Sequence, residues 1–367
     1  MTIQQAILGG SGFGLNWTES IGSPNIYGAS SIPDTQQNLY TLFTTSSAIP
    51  TIAKINPLGG VDWQKTLAGV YVYGGKIVWD AAGYLYITGL DSTSTYLSIT
   101  KLDTSGALSW AKKFSLYFGP DGLAVDSSSN VFLAGSDSST PYNGYILKLN
   151  GSGVLQWQRK MASANYAFIY ACATDSIGDV YFGGSTNPTY KAGFISKYSS
   201  SGTFLWDKTI TVPSPYQYIV YGITTDSANN VYVVGSINNA TTDGIVVKFD
   251  SNGTVQWQVQ IQYAGSITNI SYGSDGYLYV GGTSYQIIKM DTSGNVVFFN
   301  TLTTLQNTKI FAGAIGSMIG SGYSSPTNSA NTFNLPSNGG KLGTWTTGSQ
   351  TYTYAAASSY SVSTPTL

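Results

Sequence analysis

A ten-residue motif that begins with lysine and ends with tryptophan or phenylalanine recurs six times along this chain of 367 residues. The copies are KINPLGGVDW (54–63), KLDTSGALSW (101–110), KLNGSGVLQW (148–157), KYSSSGTFLW (197–206), KFDSNGTVQW (248–257) and KMDTSGNVVF (289–298). Their lysines are spaced by 47, 47, 49, 51 and 41 residues. A period of about 40–50 residues is typical of propellers, solenoids and repeat arrays, in which each period is one structural unit.

Each period contains four short patterns that favour β-strands. In the fifth period these are VYGITTD (220–226), NVYVVGS (230–236), DGIVVKFD (243–250) and TVQWQVQI (254–261). They are rich in Val, Ile, Tyr and Trp, and Gly, Asn, Asp and Ser separate them. No segment has helical periodicity over ten or more residues. Four strands per repeat predict the blade of a β-propeller.

Seven such units fit the sequence, which predicts an all-β, seven-bladed propeller with four antiparallel strands per blade over residues 27–347. Their first strands are expected to begin near Tyr27, Tyr73, Asp121, Ile169, Val220, Ile267 and Lys309. The strands of the seventh unit are expected to be KIFAGAIG, SMIGSGY, NTFNLP and KLGTWTT. Residues 1–26 form an N-terminal segment in which the stretch around Trp17 is a candidate ring-closing strand beside the last blade. Residues 348–367 are expected to be an edge strand or a tail.

The repeated motif has a structural interpretation. Its central turn starts with a side-chain acceptor such as Asp250 and ends with Gly253, which tolerates a positive φ, so it joins the third and fourth strands as a hairpin. The tryptophan then lies on the outermost strand, where its ring can pack between blades, and the lysine stem can lie along that ring. The predicted blade-joint residues are Trp63, Trp110, Trp157, Trp206, Trp257, Lys54, Lys101, Lys148, Lys197, Lys248 and Lys289.

These repeats resemble the SBBP-type β-propeller repeat family. The resemblance is carried by YGITTDSANNVYVVGS and IVVKFDSNGTVQW within 220–257, by GPDGLAVDSSSNVFLAGS (119–136) and by ATDSIGDVYFGGS (173–185). LGGSGFG near the N-terminus is similar to that family's inter-blade linker, and the turn with its tryptophan is similar to the docking motif of quinoprotein propellers. The resemblance covers most of 27–302 and fades over 303–367. It implies a fold and no catalytic residues.

The composition argues against several classes of function. The net charge is −1 and only 9% of residues are charged, so the electrostatic footprint of a nucleic-acid-binding protein is missing. There is no histidine, which removes the commonest general base and metal ligand, and Glu19 is the only glutamate. Aspartates recur in the turns, where capping is the simplest role. We therefore predict a protein that is not an enzyme and has no cofactor or metal site.

The surface chemistry suits a protein that works outside cells. Ser, Thr, Asn, Gln, Gly and 28 tyrosines must supply most of the polar surface. The N-terminal stretch has no basic region of the kind that begins a secretory signal, and no apolar run approaches the length of a membrane span. These observations predict no membrane insertion and an exterior-type surface without a visible export signal.

Candidate binding residues come from the longer loops, where binding sites of rigid scaffolds usually lie. A set of aromatic residues follows each motif tryptophan by about six to twelve positions, and such rings can stack on sugars or anchor a protein interface. The alternative role is to cover the end of the core. The set is Tyr71, Tyr73, Tyr117, Phe118, Tyr166, Phe168, Tyr216, Tyr218 and Tyr263.

The leading hypothesis is a structural and adhesion protein of a tailed-bacteriophage virion, in a tail or fibre. Virion proteins are made without export signals, yet their surfaces meet the outside, and the charge-poor C-terminal run TYTYAAASSYSVSTPTL is similar in composition to phage structural proteins. The expected partners are other virion proteins, further copies of the chain, and a host-surface glycan. The alternative is a carbohydrate-binding propeller that is secreted or lies on a bacterial surface. A polysaccharide lyase or hydrolase is disfavoured by the missing histidine and scarce glutamate.

Overall fold

The chain folds into seven antiparallel β-sheets, which are the blades of a seven-bladed β-propeller, as the repeat predicts. The computed structural model contains no helix among the residues that it describes, and so none that could span a membrane. The described residues are 4–8, 16–21, 26–45, 50–67, 75–90, 96–115, 119–137, 143–161, 167–186, 192–211, 216–238, 242–262, 265–284, 286–302, 305–312, 317–324, 329–336, 338, 343–347, 350–356 and 361–363.

The first three blades follow two N-terminal strands, β1 (Gln4–Leu8) and β2 (Asn16–Ile21). Blade 1 consists of β3 (Ile26–Pro33), β4 (Leu39–Thr45), β5 (Pro50–Ile55) and β6 (Val61–Thr66). Blade 2 consists of β7 (Ile77–Trp79), β8 (Tyr84–Leu90), β9 (Leu97–Asp103) and β10 (Leu108–Phe114). Blade 3 consists of β11 (Gly119–Val125), β12 (Val131–Ser136), β13 (Gly144–Leu149) and β14 (Leu155–Met161).

The next blades repeat this order. Blade 4 consists of β15 (Ala167–Thr174), β16 (Val180–Thr186), β17 (Ala192–Tyr198) and β18 (Phe204–Ile210). Blade 5 consists of β19 (Tyr218–Thr225), β20 (Val231–Ile237), β21 (Asp243–Phe249) and β22 (Val255–Gln262). Blade 6 consists of β23 (Ile267–Tyr272), β24 (Leu278–Gly282), β25 (Gln286–Met290) and β26 (Val296–Leu302). The remaining strands are β27 (Leu305–Ala312), β28 (Ser317–Ser324), β29 (Ser329–Pro336), β30 (Gly343–Thr347), β31 (Gln350–Ala356) and β32 (Ser361–Ser363).

Blade 7 differs from the predicted arrangement. Its sheet has the order β1-β2-β29-β28-β27, so its fourth strand is β2 from the N-terminal segment, with Trp17 opposite Asn334. The predicted fourth strand, KLGTWTT, was therefore wrongly assigned to this blade. That stretch contains β30, which pairs with β31 in a hairpin beside β26 of blade 6. The sequence pattern identified a strand, but only tertiary pairing decided which edge it joins.

The C-terminal residues also form strands. Residues 350–356 are β31, which pairs with β26, and residues 361–363 are β32, which pairs with β22 of blade 5. Both pairings are antiparallel additions to the outer edge of a blade. Residues 350–363 therefore contribute two strands to existing sheets.

The chain divides into two compact units. One comprises Met1–Tyr73 and Asn269–Tyr360, and the other comprises Gly74–Thr268 and Ser361–Leu367. The second unit contains blades 2–5, and its core includes Tyr181, Val233 and Val247 between blades 4 and 5. In the first unit, Tyr279, Ile310 and Phe333 belong to one buried cluster.

Burial is graded across a blade. The second strand is buried along almost its whole length, as in β20 (VYVVGSI), because neighbouring blades cover both of its faces. The fourth strand is mostly exposed in blades 2–4, as in β10 (LSWAKKF). This gradient explains why second strands read as continuous apolar runs, whereas fourth strands mix apolar and charged residues.

Candidate functional site

The first strands of blades 3–5 carry a β-bulge five residues before their turn aspartate, and the first strands β3 and β27 also show a register shift. The register shifts between Gly119 and Gly122 in β11, between Ile169 and Ala171 in β15, and between Val220 and Gly222 in β19. A bulge inserts a residue without a direct ladder partner and re-aims its side chain, and bulges are common next to binding and active sites. The inserted residues include Asp121, Tyr170 and Tyr221.

Glycines on the second strands make room for these bulges. A Cβ on Gly184 would collide with the carbonyl oxygen of Phe168, and a Cβ on Gly235 would collide with that of Ile219. Since no side chain fits where a backbone carbonyl approaches so closely, glycine is required there. The glycine of the repeated pattern V-Y-V-V-G-S is thus explained by the bulge on the neighbouring strand.

Threonine side chains join the first strands of blades 3–5, which we call the inner strands. Thr174 Oγ1 donates to the carbonyl oxygen of Val125 at 2.9 Å, and Thr225 Oγ1 donates to that of Thr174 at 2.8 Å. These bonds join β11 to β15 and β15 to β19. The three bulges therefore lie on strands whose relative position is held by side-chain hydrogen bonds.

The bulges bring three aromatic rings together. Phe168 stacks on Tyr170 with 6.3 Å between ring centroids and 4° between planes. Tyr170 in turn packs against Tyr221 at 5.6 Å with the planes tilted by 46°. All three side chains are partly exposed. Burial raises the pKa of both tyrosines, so their hydroxyl groups stay protonated at neutral pH.

Two opposite charges accompany these rings. Lys76 immediately precedes β7, and its pKa is lowered by burial, an effect that the charge of Asp121 opposes. The pKa of Asp121 is raised by burial, and Lys76 opposes that shift. Asp121 also helps to raise the pKa of Tyr170. Perturbed ionisable groups beside exposed rings mark a candidate binding site. We call Lys76, Asp121, Phe168, Tyr170 and Tyr221 the inner-strand cluster.

The predicted loop aromatics have mixed outcomes. Phe168 belongs to the inner-strand cluster, and Tyr216 has 45% of its surface exposed just before β19. Tyr218 is fully buried and packs in the core of its unit, so a role in ligand contact is wrong for that residue. The other predicted members lie outside the described residues: Tyr71, Tyr73, Tyr117, Phe118, Tyr166 and Tyr263.

Sequence reasoning missed four members of the inner-strand cluster. Tyr170, Tyr221 and Asp121 each stand five residues before the turn aspartate of their blade, a spacing that can be read from the sequence. The sequence shows this spacing, but it does not show the bulge that turns these side chains out of the ladder. Lys76 carried no signal of its own, because its role depends on the electrostatic contact with Asp121.

The predicted blade-joint residues occupy paired positions on the third and fourth strands. Within the described residues, each motif lysine lies directly opposite the motif aromatic residue, as Lys148 does opposite Trp157. Lys148 Nζ and Trp157 Nε1 both donate to the carbonyl oxygen of Ser200 in the next blade, at 2.9 and 3.1 Å. The other paired positions are Lys54 with Trp63, Lys101 with Trp110, Lys197 with Trp206, Lys248 with Trp257, and Lys289 with Phe298.

The same contact, in which a motif lysine and a tryptophan donate to one carbonyl group of the next blade, recurs in blades 2 and 4. Lys101 and Trp110 donate to Gly151, and the turn glycine Gly153 packs against the Trp110 ring. Lys197 and Trp206 donate to Ser251. Each contact combines a charge-assisted hydrogen bond with an indole bond to a single carbonyl group. These residues therefore lie at contacts between successive blades.

The lysine ammonium groups lie over rings of the second strand. Lys197 Nζ is 4.9 Å from the Tyr181 ring centroid, and the Tyr181 hydroxyl donates to Asp175 at 3.1 Å. Lys197 also forms ion pairs with Asp175 and Asp179 at 3.3 and 3.1 Å. The lysine charge is thus compensated by turn carboxylates and by an aromatic face.

The turn aspartates cap their turns, as expected. In blade 5, Asp226 Oδ1 accepts bonds from the backbone amides of Ala228 and Asn230 at 2.9 Å, and Oδ2 accepts from the Tyr232 hydroxyl at 2.9 Å. Among the described residues, no group of three or more acidic, cysteine or histidine side chains is arranged to hold a metal ion.

Comparison with known proteins supports the repeat assignment. Residues 214–240 match the SBBP β-propeller repeat family, which confirms the predicted resemblance over that segment. No curated protein matches the chain in sequence. A protein of unknown function from Bacteroides caccae aligns at 12% identity and a TM-score of 0.44, over 62% of this chain and 80% of its own. A chain of a nidogen/laminin complex aligns at 16% identity and a TM-score of 0.45, over 71% and 92%.

Proposed function

We propose that this protein is a non-enzymatic structural and adhesion component of a tailed-bacteriophage virion, in a tail or fibre, which contacts a host-surface glycan. The observation that carries the adhesion part is the inner-strand cluster. It offers partly exposed rings, neutral phenols and one carboxylate on strands that threonine bonds hold in place.

The chemistry of the inner-strand cluster suits a sugar. The apolar face of a pyranose packs on an aromatic ring, and its hydroxyl groups need donors and acceptors at the ring edge. Tyr170 and Tyr221 supply both, because a protonated phenol hydroxyl group donates one hydrogen bond and can accept others. Asp121 adds a carboxyl group, and the charges of Asp121 and Lys76 each oppose the effect of burial on the pKa of the other. A neutral glycan is therefore a better candidate ligand than a strongly anionic one.

The virion setting rests on composition. Only 9% of residues are charged and the net charge is −1, so surface contacts with neighbouring subunits would rely on neutral polar and apolar groups. The alternative is a carbohydrate-binding propeller on a bacterial surface or in secreted form, which the same cluster would also serve. The two hypotheses differ in whether the protein is assembled with other virion proteins or is found on a bacterial surface or in secreted form.

Substitution of the cluster tests glycan contact. Tyr170→Ala and Tyr221→Ala are each expected to weaken binding on a glycan array at least about tenfold, equivalent to about 1.4 kcal/mol. Phe204→Ala is the matched control, because this ring is 51% exposed on the outer strand β18. Equal binding by all three variants, or wild-type protein that binds no glycan, would contradict the adhesion proposal.

Purification from the source material tests the setting. A virion component should copurify with particles in a defined oligomer at constant stoichiometry. Recovery only as a free monomer would contradict the virion part, and glycan binding would then test the alternative of a carbohydrate-binding propeller outside a virion.

A further inference from the structure

The tight turns of blades 2–5 lie together at one end of these blades. In blade 4 the backbone amide of Ser200, in the turn between the third and fourth strands, donates to Asp179 in the turn between the first and second strands at 3.2 Å. The amide of Ser176 donates to Asn229 in the corresponding turn of blade 5 at 3.0 Å. We call this end the turn face; its turns are 80–84, 103–107, 126–130, 150–154, 175–179, 199–203, 226–230 and 250–254.

The turn face carries most of the exposed large apolar side chains of these blades. Of the nine that the structure describes in blades 2–5, all but Tyr96 and Tyr216 lie in these turns or within two residues of them. One position recurs, two residues after the glycine of the turn between the third and fourth strands, and 41–64% of its surface is exposed. The residues at this position are Leu108, Leu155, Phe204 and Val255.

A cation from the preceding blade reaches the same turn. Arg159 Nε donates to the carbonyl oxygen of Gly202 at 2.8 Å, two residues before Phe204. The lysines at the position equivalent to Arg159 also lie over the turn glycine of the next blade, at about van der Waals distance from where its Cβ would be. These contacts join Lys112 to Gly153 and Lys208 to Gly253. A positive charge therefore lies near an exposed apolar side chain at three successive contacts between blades.

The exposed charges of these blades are mainly positive, although the net charge of the chain is −1. The turn aspartates Asp126, Asp175 and Asp226 are buried, because their carboxylates cap the turns. Among the residues that the structure describes in blades 2–5, the charged side chains in the exposed class are Lys112, Lys113, Lys160, Lys208 and Asp207. Four cations thus accompany one anion on this surface.

We propose that the turn face of blades 2–5 is a docking surface for an anionic lipid bilayer. Lysine and arginine side chains are attracted to anionic headgroups, and leucine, valine and phenylalanine side chains can enter the boundary between headgroups and acyl chains. The contact lies at the bilayer surface and needs no spanning segment. The half-buried rings of Trp110, Trp157 and Trp206 lie on the same strands, and such rings favour this boundary.

The spacing of the apolar side chains favours a bilayer over other anionic partners. They lie on separate turns with Ser, Thr, Asn and Gly between them, so they form several small contacts and no continuous patch. A fluid lipid boundary accepts each side chain without a matching pocket, whereas a protein partner would need one for every blade. A soluble polyanion would pair with the cations but would leave Leu108 and Phe204 without an apolar environment. This proposal is independent of the glycan site.

Cosedimentation with vesicles tests the proposal. The protein should bind vesicles of phosphatidylcholine that contain about 30% phosphatidylglycerol, and should not bind pure phosphatidylcholine vesicles, because the attraction requires anionic headgroups. Two neighbouring residues form a matched pair of variants. Lys208→Gln should weaken the partition coefficient about fivefold and Asp207→Asn should strengthen it about fivefold, since one removes a cation and the other an anion. Thermal unfolding checks that both variants fold.

Three results of this experiment would overturn the proposal. These are no sedimentation of wild-type protein with the anionic vesicles, equal sedimentation with both kinds of vesicle, and equal partition by Lys208→Gln and Asp207→Asn. Dextran sulfate serves as a soluble polyanion. If it binds the protein while the anionic vesicles do not, the cations serve a soluble polyanion, and the bilayer proposal is wrong.

A polarity-sensitive dye tests the orientation and needs no change of charge. In a Cys172→Ser background, the dye is attached to Val255→Cys on the turn face or to Tyr216→Cys at the other end of blade 5; the two native residues are 49% and 45% exposed. Anionic vesicles should shift the dye emission to shorter wavelength only at Val255→Cys. An equal shift at both positions, a shift at Tyr216→Cys alone, or none at either would contradict docking through the turn face.

Discussion

At the scale of single residues, a tyrosine, an aspartate and a lysine recur in the same arrangement in blades 2, 4 and 5, and blade 3 lacks the tyrosine. The second-strand tyrosine donates to the turn aspartate at 3.0 Å for Tyr86, 3.1 Å for Tyr181 and 2.9 Å for Tyr232. Blade 3 has Phe132 at this position, and Lys148 lies 3.9 Å from Asp126. Comparison of blade 3 with the other blades therefore tests how much one buried hydroxyl group contributes to stability.

We expect opposite effects from exchanging these two rings. Tyr232→Phe should lower the free energy of unfolding by about 1–2 kcal/mol, because Asp226 loses a buried donor. Phe132→Tyr should leave stability equal or raise it by up to about 1 kcal/mol, because Asp126 gains that donor. Urea denaturation measures both. A loss of stability in Phe132→Tyr as large as in Tyr232→Phe would mean that shape, rather than the hydrogen bond, sets the residue at this position.

Asp275 predicts a dependence of stability on pH. Burial raises the pKa of this carboxyl, but hydrogen bonds from Tyr279 at 2.6 Å and Lys289 at 3.0 Å outweigh burial and leave the pKa below its ordinary value. Since the folded pKa is lower than the unfolded one, the stabilisation is complete above about pH 4 and is lost as the pH falls through the folded pKa.

The matched variant for this prediction is Asp275→Asn. The difference in unfolding free energy between wild type and Asp275→Asn should be constant from pH 7 to about pH 5 and should shrink below about pH 4. Urea denaturation at a series of pH values measures it. A difference that stays constant down to pH 2 would show that the carboxylate charge contributes nothing.

At the scale of elements, the turn between the third and fourth strands both reverses the chain and packs on the preceding blade. Gly253 has φ +81°, and a Cβ there would lie 3.0 Å from the Trp206 ring. Gly276, in the first turn of blade 6, has φ +80° and nothing within 4 Å of such a Cβ. These two glycines have nearly the same φ but differ in what a Cβ would contact.

This pair separates backbone strain from packing. Gly276→Ala should cost about 1–2 kcal/mol, the price of a side chain in the left-handed region. Gly253→Ala should cost more, because the Trp206 ring or the turn must also move. Thermal unfolding gives the two values, and tryptophan fluorescence should change only in Gly253→Ala. Equal costs with unchanged fluorescence would contradict close packing between turn and ring.

At the scale of the whole molecule, the few basic residues recur at the same positions of successive blades. Of the sixteen basic residues, six are the motif lysines. Another six lie on fourth strands of blades 1–4: Lys65, Lys112, Lys113, Arg159, Lys160 and Lys208. In the first group, Lys148, Lys197 and Lys289 form ion pairs with turn aspartates, and the second group lies on fourth strands that end their sheets among the described residues. Twelve of the sixteen basic residues therefore occupy positions that the repeat defines.

The repeat by itself determined the fold class, the number of blades and the strands from which most of them are made. It did so because local preferences, namely β-branched and aromatic runs between Asp, Asn and Gly turns, agree in every period. It also placed each motif lysine next to its aromatic partner, since a tight hairpin sets the register of the two strands.

Only the tertiary structure decided where the ends of the chain pair and which side chains meet. KLGTWTT reads as a fourth strand, yet the N-terminal β2 holds that position in blade 7, because a local strand pattern does not specify which sheet edge the strand joins. Tyr218 reads as a loop aromatic but is buried, whereas Tyr170 and Tyr221 lie on bulges that no period reveals. Contacts between residues about 50 positions apart depend on how blades pack, and that information is absent from any single repeat.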